Sequence, residues 1–237
     1  MKSFFFMILL SQVAFAKTNW ESGTKKIPLI ELYSSEGCSS CPPAEKWMAN
    51  QINNPDHFKK FTPINFHVDY WNKLGWIDRF SKSQFTDRQK KYASTWGTGR
   101  IYTPAFVVDG VDRGASGSLE FLNESSNLES GNLEIKRKDS KTYEVHFNAK
   151  EKNLFEIYFA ELASGLETKV KAGENEGRTL VHNFVVLKLI GMDLIDQKAV
   201  VNLPEPSVDA PKATAFAVWV TKKGDLTPVQ SIGGTFR

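Results

Sequence analysis

The chain has two cysteines, and they stand three apart in Cys38-Ser39-Ser40-Cys41. A bridge across that spacing closes a very short loop. On a chain-entropy argument it stabilises by roughly 2 kcal/mol, against ~4.7 kcal/mol for a hundred-residue loop. A chain of 237 residues has enough core to do without so small a contribution, so the pair points to chemistry rather than stability. Its setting agrees. Leu29-Ile30-Glu31-Leu32-Tyr33 reads as a short buried strand and Ser34 to Gly37 as the turn after it. Ala44, Trp47, Met48 and Ile52 then recur at helical spacing, ending at Asn53-Asn54-Pro55. The cysteines therefore lie where a strand turns into a helix N-terminus. Free backbone N–H groups and the helix dipole favour a thiolate there. Ser39 and Ser40 add hydroxyl donors. Pro42 and Pro43 lack N–H groups and suit the first helical positions. A helix that starts at Pro42 leaves the cysteine turn ahead of it, which weakens the hold of the dipole on Cys38.

A strand, a Cys-x-x-Cys, a helix and a later Thr103-Pro104 before the strand Ala105-Phe106-Val107-Val108 resemble the thioredoxin superfamily. The resemblance implies a cis-proline at Pro104 beside the redox pair. It also implies that Thr103 offers backbone hydrogen bonds to an extended partner, which docks by strand addition. The blocks Glu31-Leu32-Tyr33, Glu36-Gly37-Cys38-Ser39-Ser40-Cys41-Pro42-Pro43-Ala44, Phe66-His67-Val68-Asp69-Tyr70-Trp71 and Gly99-Arg100-Ile101-Tyr102-Thr103-Pro104 narrow it further. They look like a family of secreted bacterial thioredoxin-like proteins catalogued as a domain of unknown function. Gly173-Glu174-Asn175 and Gly177-Arg178-Thr179-Leu180 resemble its second half. The likeness covers most of residues 27–235 and implies a fold without an established substrate.

The start of the chain bears on compartment. Met1-Lys2-Ser3, the apolar run Phe4 to Leu10 and the small-x-small Ala14-Phe15-Ala16 form a signal-peptide pattern over 1–16. It predicts a periplasmic or secreted protein after cleavage near Ala16. No later segment offers eighteen uninterrupted apolar residues, so the chain is not expected to be membrane-embedded. A net charge of +3 is too small to indicate nucleic acid. Residues 17–26 are expected as a flexible N-terminus. An α/β thioredoxin-like domain is expected over 27–130, with a helical insertion at about 72–99. A small mostly-β, sandwich-like domain is expected over 131–237, where alternating segments recur between turn residues.

Other candidate residues each carry two readings. The resemblance implies an acid beneath the second cysteine that relays a proton, and Glu31 is the candidate. Strand alternation leaves a hydrogen-bonded structural glutamate as the other reading. His67, at the exit of the strand Thr62 to Phe66, either supports a thiolate or closes a hydrogen bond at the strand end. His57, His146 and His182 read as structural. In the insertion, Phe85, Tyr92 and Trp96 form a stripe, with Ser81 or Ser83 as cap and Gly97 as stop. The stripe is core, or it belongs to a lid over a substrate groove that Trp71 and Trp76 help to shape. Ser118 to Leu128 is expected as a closing helix.

The expected function is thiol–disulfide exchange. Cys38 acts as exposed nucleophile, Cys41 resolves the mixed disulfide, and Glu31 or His67 moves the proton. The redox-active disulfide is the expected cofactor. The expected partner is a thiol- or disulfide-bearing protein or a small thiol, with a membrane-bound redox partner possible. One rival is a copper-handling protein built on the two thiolates and His67. The other is a non-catalytic binding module whose β-rich half is the working surface.

Overall fold

The computed structural model describes residues 17–236 except 125, 150, 152 and 207–209. The expected signal peptide, 1–16, lies outside the described residues. In the first half the strands are β1 (Asn19–Glu21), β2 (Leu29–Ser34), β3 (Thr62–His67), β4 (Ala105–Val108) and β5 (Val111–Asp112), with helices α1 (Pro42–Asn50) and α2 (Ser83–Thr95). The second half adds β6 (Gly131–Arg137), β7 (Thr142–Ala149), β8 (Phe155–Ala163), β9 (Leu166–Lys169), β10 (Thr179–His182), β11 (Val185–Asp193), β12 (Lys198–Asn202), β13 (Ala215–Lys222) and β14 (Pro228–Thr235).

All six residues of β2 are buried. The strand is central: it pairs in parallel with β3 and antiparallel with β4, and side chains pack on both of its faces, which accounts for its nearly continuous apolar sequence. Ile30 and Leu32 pack with Ala44 and Met48 of α1, Phe106 and Val108. Leu29 and Tyr33 pack on the opposite face with Phe66, Phe85 and Tyr92 of the α2 side. Because side chains alternate along a strand, the odd-numbered residues of β2, Glu31 among them, face α2 and not the helix that follows the cysteines.

The sheet does not stop at the expected boundary near residue 130. Eight strands run β14-β13-β8-β11-β3-β2-β4-β5 without a break. A second sheet, β1-β6-β7-β12, packs over the β14-β13-β8-β11 half. The sandwich expected in the second half is thus present, but its inner sheet continues that of the first half. β13 shows the sharing most clearly: Phe216, Val218 and Val220 face the four-stranded sheet, while Ala215, Ala217 and Trp219 face the α2 core. In the outer sheet, Leu133, Ile135, Tyr143, Val145 and Phe147 point inward, alternating with polar residues as a one-sided sheet requires.

Several local expectations are corrected. Residues 17–26 are not a free tail: β1 pairs with β6, and Trp20, 5% exposed, meets Phe216 edge-on at 4.8 Å. The 72–99 insertion holds a 3-10 turn at Asn72–Leu74 and α2. The extended residue before α2 is Lys82, with no side-chain cap; the Ser81 hydroxyl donates instead to the Asp78 carbonyl at 2.8 Å. Gly97, at φ +70°, follows the end of α2. The expected closing helix is a 3-10 segment, Leu119–Glu124. Among the alternating segments of the second half, Leu180 to Ile190 falls in two strands, β10 and β11, broken at Phe184 with φ 55°. Among the described residues no helix is long and apolar enough to cross a membrane.

Trp20→Ala is expected to destabilise the protein by about 3–5 kcal/mol, the usual cost of removing a large buried aromatic. A denaturant melt that does not move would return residues 17–26 to the status of a free tail.

Candidate functional site

α1 begins at Pro42, with Pro42 and Pro43 in its first turn and Cys41 as N-cap. The first helical bond runs from Glu45 N–H to the Cys41 carbonyl, 3.0 Å. Cys38 and Cys41 form a disulfide in the turn just ahead of the helix, with Cα atoms 5.4 Å apart. Their turn is held by Cys38 N–H to the Ser35 carbonyl at 3.1 Å and Cys41 N–H to the Cys38 carbonyl at 3.2 Å. The Ser40 hydroxyl lies 3.3 Å from Cys38 Sγ. Gly37 lets the turn approach Trp71 closely: a Cβ there would lie 3.2 Å from that of Trp71.

Thr103 and Pro104 lie beside this turn. The Thr103–Pro104 peptide is cis, and the Ser40 hydroxyl reaches toward the Thr103 carbonyl at 3.5 Å. Trp71 Nε1 donates to Thr103 Oγ1 at 2.7 Å, so Trp71 supports the Thr103 loop. Trp76 Nε1 donates to Glu36 Oε2 at 2.8 Å. Cys38, Ser40, Thr103, Pro104 and Trp71 therefore gather at one place, and Trp76 is tied to the same turn through Glu36.

The exposed nucleophile is corrected. Cys38 is 0% exposed and Cys41 1%. The loop between β9 and β10 bonds to the same turn. Asn175, fully buried, donates from its side-chain amide to the carbonyls of Glu36 and Cys38, both at 2.9 Å. Glu174 accepts from Ser39 N–H at 3.1 Å and from the Ser39 hydroxyl at 2.7 Å. The disulfide turn is clamped by residues more than 130 positions away. Cys41 also borders a cavity of about 210 Å³, which α1 and β10 line through Pro42, Glu45, Lys46, Thr179 and Val181.

The relay acid is corrected as well. Glu31 takes two hydrogen bonds from Arg88, at 2.7 and 2.9 Å. It also accepts from Tyr33 Oη at 2.8 Å and Tyr92 Oη at 2.6 Å. This buried pair ties β2 to α2 on the face away from α1, as the alternation of β2 dictates.

The acids on the cysteine side are Glu36, Glu45 and Asp78, gathered with His67 and His182. His67 Nδ1 lies 2.6 Å from Asp78 Oδ2, and its Nε2 is 3.6 Å from Glu45 Oε1. His182 Nδ1 contacts Glu45 Oε2, and its Nε2 lies 3.2 Å from Glu36 Oε1. That last approach is close enough for an ion pair but is not aligned as a hydrogen bond. Ser34 Oγ donates to Glu45 at 2.6 Å, and Asp78 accepts from Glu36 N–H and Phe80 N–H. The Phe80 ring lies edge-on to both imidazoles. Burial works against charge on His182, His67, Glu45 and Asp78, but the ion pairs outweigh it. His182 is raised to about 10 by Glu45 and Glu36, and His67 is raised by Asp78 and Glu45. Glu45 is lowered by the two histidines and Asp78 by His67. Among the described residues, the metal-capable donors that converge are Glu45, His67 and His182, not the cysteines with His67.

Sequence reading placed His67 near the site but assigned His182 a scattered structural role and did not single out Asp78. Glu45 carried a signal: it lies four residues after Cys41, on the same face of α1 as buried Met48. His182, 137 positions from Glu45, carried none.

Two substitutions test this layout. Asn175→Ala removes two hydrogen bonds to buried carbonyls, worth about 1–3 kcal/mol; reduction of the disulfide by dithiothreitol should then accelerate about tenfold or more. An unchanged rate would mean that the sulfurs are reached without moving the β9–β10 loop. Glu31→Gln should cost about 3–5 kcal/mol by stranding Arg88, yet leave the pH dependence of thiol alkylation unchanged. A shifted alkylation profile would restore Glu31 to the proton path.

Comparison with known proteins bears on the fold. A crystal structure of protein AGR_C_4864 from Agrobacterium tumefaciens is similar, with a TM-score of 0.66 and 22% identity over 90% of this chain and 94% of that one. HBP35 of Porphyromonas gingivalis is also similar, with a TM-score of 0.58 and 16% identity over 91% of this chain and 76% of that one. At these identities the likeness is one of fold. No curated protein matches by sequence. A family model does match, over residues 29–221, a span that holds the disulfide, the cis-proline loop, the buried histidines and the β9–β10 loop. The chain belongs to that family, DUF1223, whose members are described as proteins of unknown function.

Proposed function

We propose that this chain is an exported thiol–disulfide exchange protein with a thioredoxin-like core, and that Cys38–Cys41 is its redox centre. The observation that carries the reading is the disulfide itself. It lies between the end of a central buried strand and the first turn of a helix, with a cis X-Pro bond beside it. Two sulfurs, a helix end and a strand-opening proline in one place are the parts that disulfide exchange uses.

In the oxidising direction a partner thiolate attacks one sulfur of the pair and forms a mixed disulfide, and the other cysteine leaves as a thiolate. A second partner thiolate then closes the partner's disulfide. Two electrons and two protons pass to Cys38 and Cys41, which end as thiols. A further disulfide or quinone-linked oxidant, soluble or membrane-bound, must reoxidise them. Ser40, 3.3 Å from Cys38 Sγ, supports Cys38 as the thiolate, and Thr103 supplies backbone polar groups for an extended partner. The buried sulfurs have to become exposed before a partner docks.

That burial also supports a second reading: the disulfide locks the turn, and the protein binds a partner without exchange. The equilibrium reduction potential against glutathione separates the two. A value between roughly −120 and −270 mV is expected for an exchange protein. A bond that resists reduction below about −300 mV overturns exchange in favour of the locked turn.

A further inference from the structure

We propose that Glu45, His67 and His182 form a binding site for a single zinc ion, with Asp78 and Glu36 as the carboxylates that orient its two imidazoles. This site is separate from the sulfur chemistry and does not depend on it. One donor atom from each of the three residues lies within 4.8 Å of the others, and all three side chains are buried.

The orientation of the rings is what distinguishes this cluster from an ordinary ion pair. Each imidazole turns one nitrogen outward to a carboxylate: His67 Nδ1 to Asp78 at 2.6 Å, and His182 Nε2 to Glu36 at 3.2 Å. The other nitrogens face Glu45: His67 Nε2 lies 3.6 Å from Oε1, with the Asn65 amide nitrogen 3.4 Å away on its other side, and His182 Nδ1 contacts Oε2; the Asn65 amide has to yield for Nε2 to bind the ion. Metal-bound histidines are held in this way, donating the outer N–H to a carboxylate while the inner lone pair binds the metal. Tetrahedral bonds of about 2.1 Å hold neighbouring donors about 3.4 Å apart. The His67–Glu45 spacing already fits, and the His182–Glu45 contact has to open to admit the ion.

Glu36 Oε1 and His182 Nε2 face each other at 3.2 Å without an aligned hydrogen bond; a metal on His182 Nδ1 fixes the tautomer whose Nε2–H points to Glu36. There is also a way in, because the 210 Å³ cavity beside Cys41 reaches Glu45. Two imidazoles and one carboxylate match zinc rather than calcium or magnesium, which take oxygen shells. Phe80 gives the site an apolar wall.

The test uses the full chain with its disulfide intact. It is stripped with a chelator, then titrated with Zn²⁺ against a chromophoric competitor and with Co²⁺ followed by visible absorption. One ion per chain is expected, with the strong absorption of four-coordinate Co²⁺. His67→Gln and His182→Gln should each abolish stoichiometric binding, with folding checked by circular dichroism. Asp78→Asn keeps all three ligands and should weaken binding about 10–100-fold. The Cys38→Ser/Cys41→Ser protein should bind like the native one. The proposal is overturned if the native chain takes up no stoichiometric ion, if either histidine variant still binds one, or if the double cysteine variant loses it. None of these results bears on the reduction potential that tests exchange.

Discussion

One stretch of backbone pairing carries the main sheet from the first half of this molecule into the second. β11 meets β3 in parallel at Val185 and Asn65, and Asn65 N–H donates to the Phe184 carbonyl at 2.8 Å. That seam makes the eight-stranded sheet continuous. Phe184 takes a left-handed backbone there, so the chain turns out of the sheet within two residues of His182. The break sets His182 across from His67, with ring centroids 4.9 Å apart. Without the seam, the eight-stranded sheet would divide between β11 and β3, and the acids beneath the cysteines would lack one of their two histidines.

The second half therefore completes the site from two directions. From below, His182 answers the charge of Glu36 and Glu45. Buried carboxylates are costly unless paired, and the loss of one partner leaves the rest stranded. From above, Glu174 and Asn175 satisfy the polar groups of the Cys38 turn. The two contacts are opposite in kind. The lower one is built of ionic side chains packed on all sides, whereas the upper one rests on a few hydrogen bonds from an irregular loop. Loops of that sort open at lower free energy than packed strands. The loop thus holds the disulfide turn from one side, and the sheet sets the electrostatics beneath it.

Two buried ionic groupings flank β2, one on each face. Glu31 and Arg88 fasten α2 to the sheet with two tyrosine hydroxyls. Glu45, His67, His182 and Asp78 lie on the cysteine side. The Glu31 grouping pairs both carboxylate oxygens with bidentate Arg geometry and behaves as structure. The histidine grouping leaves Glu36 Oε1 and His182 Nε2 without hydrogen bonds. That difference in satisfaction, rather than in charge, separates a fastening from a site.

What the sequence determined on its own was local. The Cys38–Cys41 spacing, the proline-led start of α1 at Pro42 and the alternation in β6 and β7 follow from backbone chemistry and side-chain period, which act over a few residues. The positions of Thr103 and Pro104 were legible only through family resemblance. The tertiary structure decided which face of β2 Glu31 occupies, that Trp20 closes a sheet, and that Asn175 and His182 converge on a turn more than 130 residues away. Register and burial made those choices. A strand pattern states that side chains alternate but not which layer covers each face, and no local signal couples residues whose only link is a shared, water-free interior.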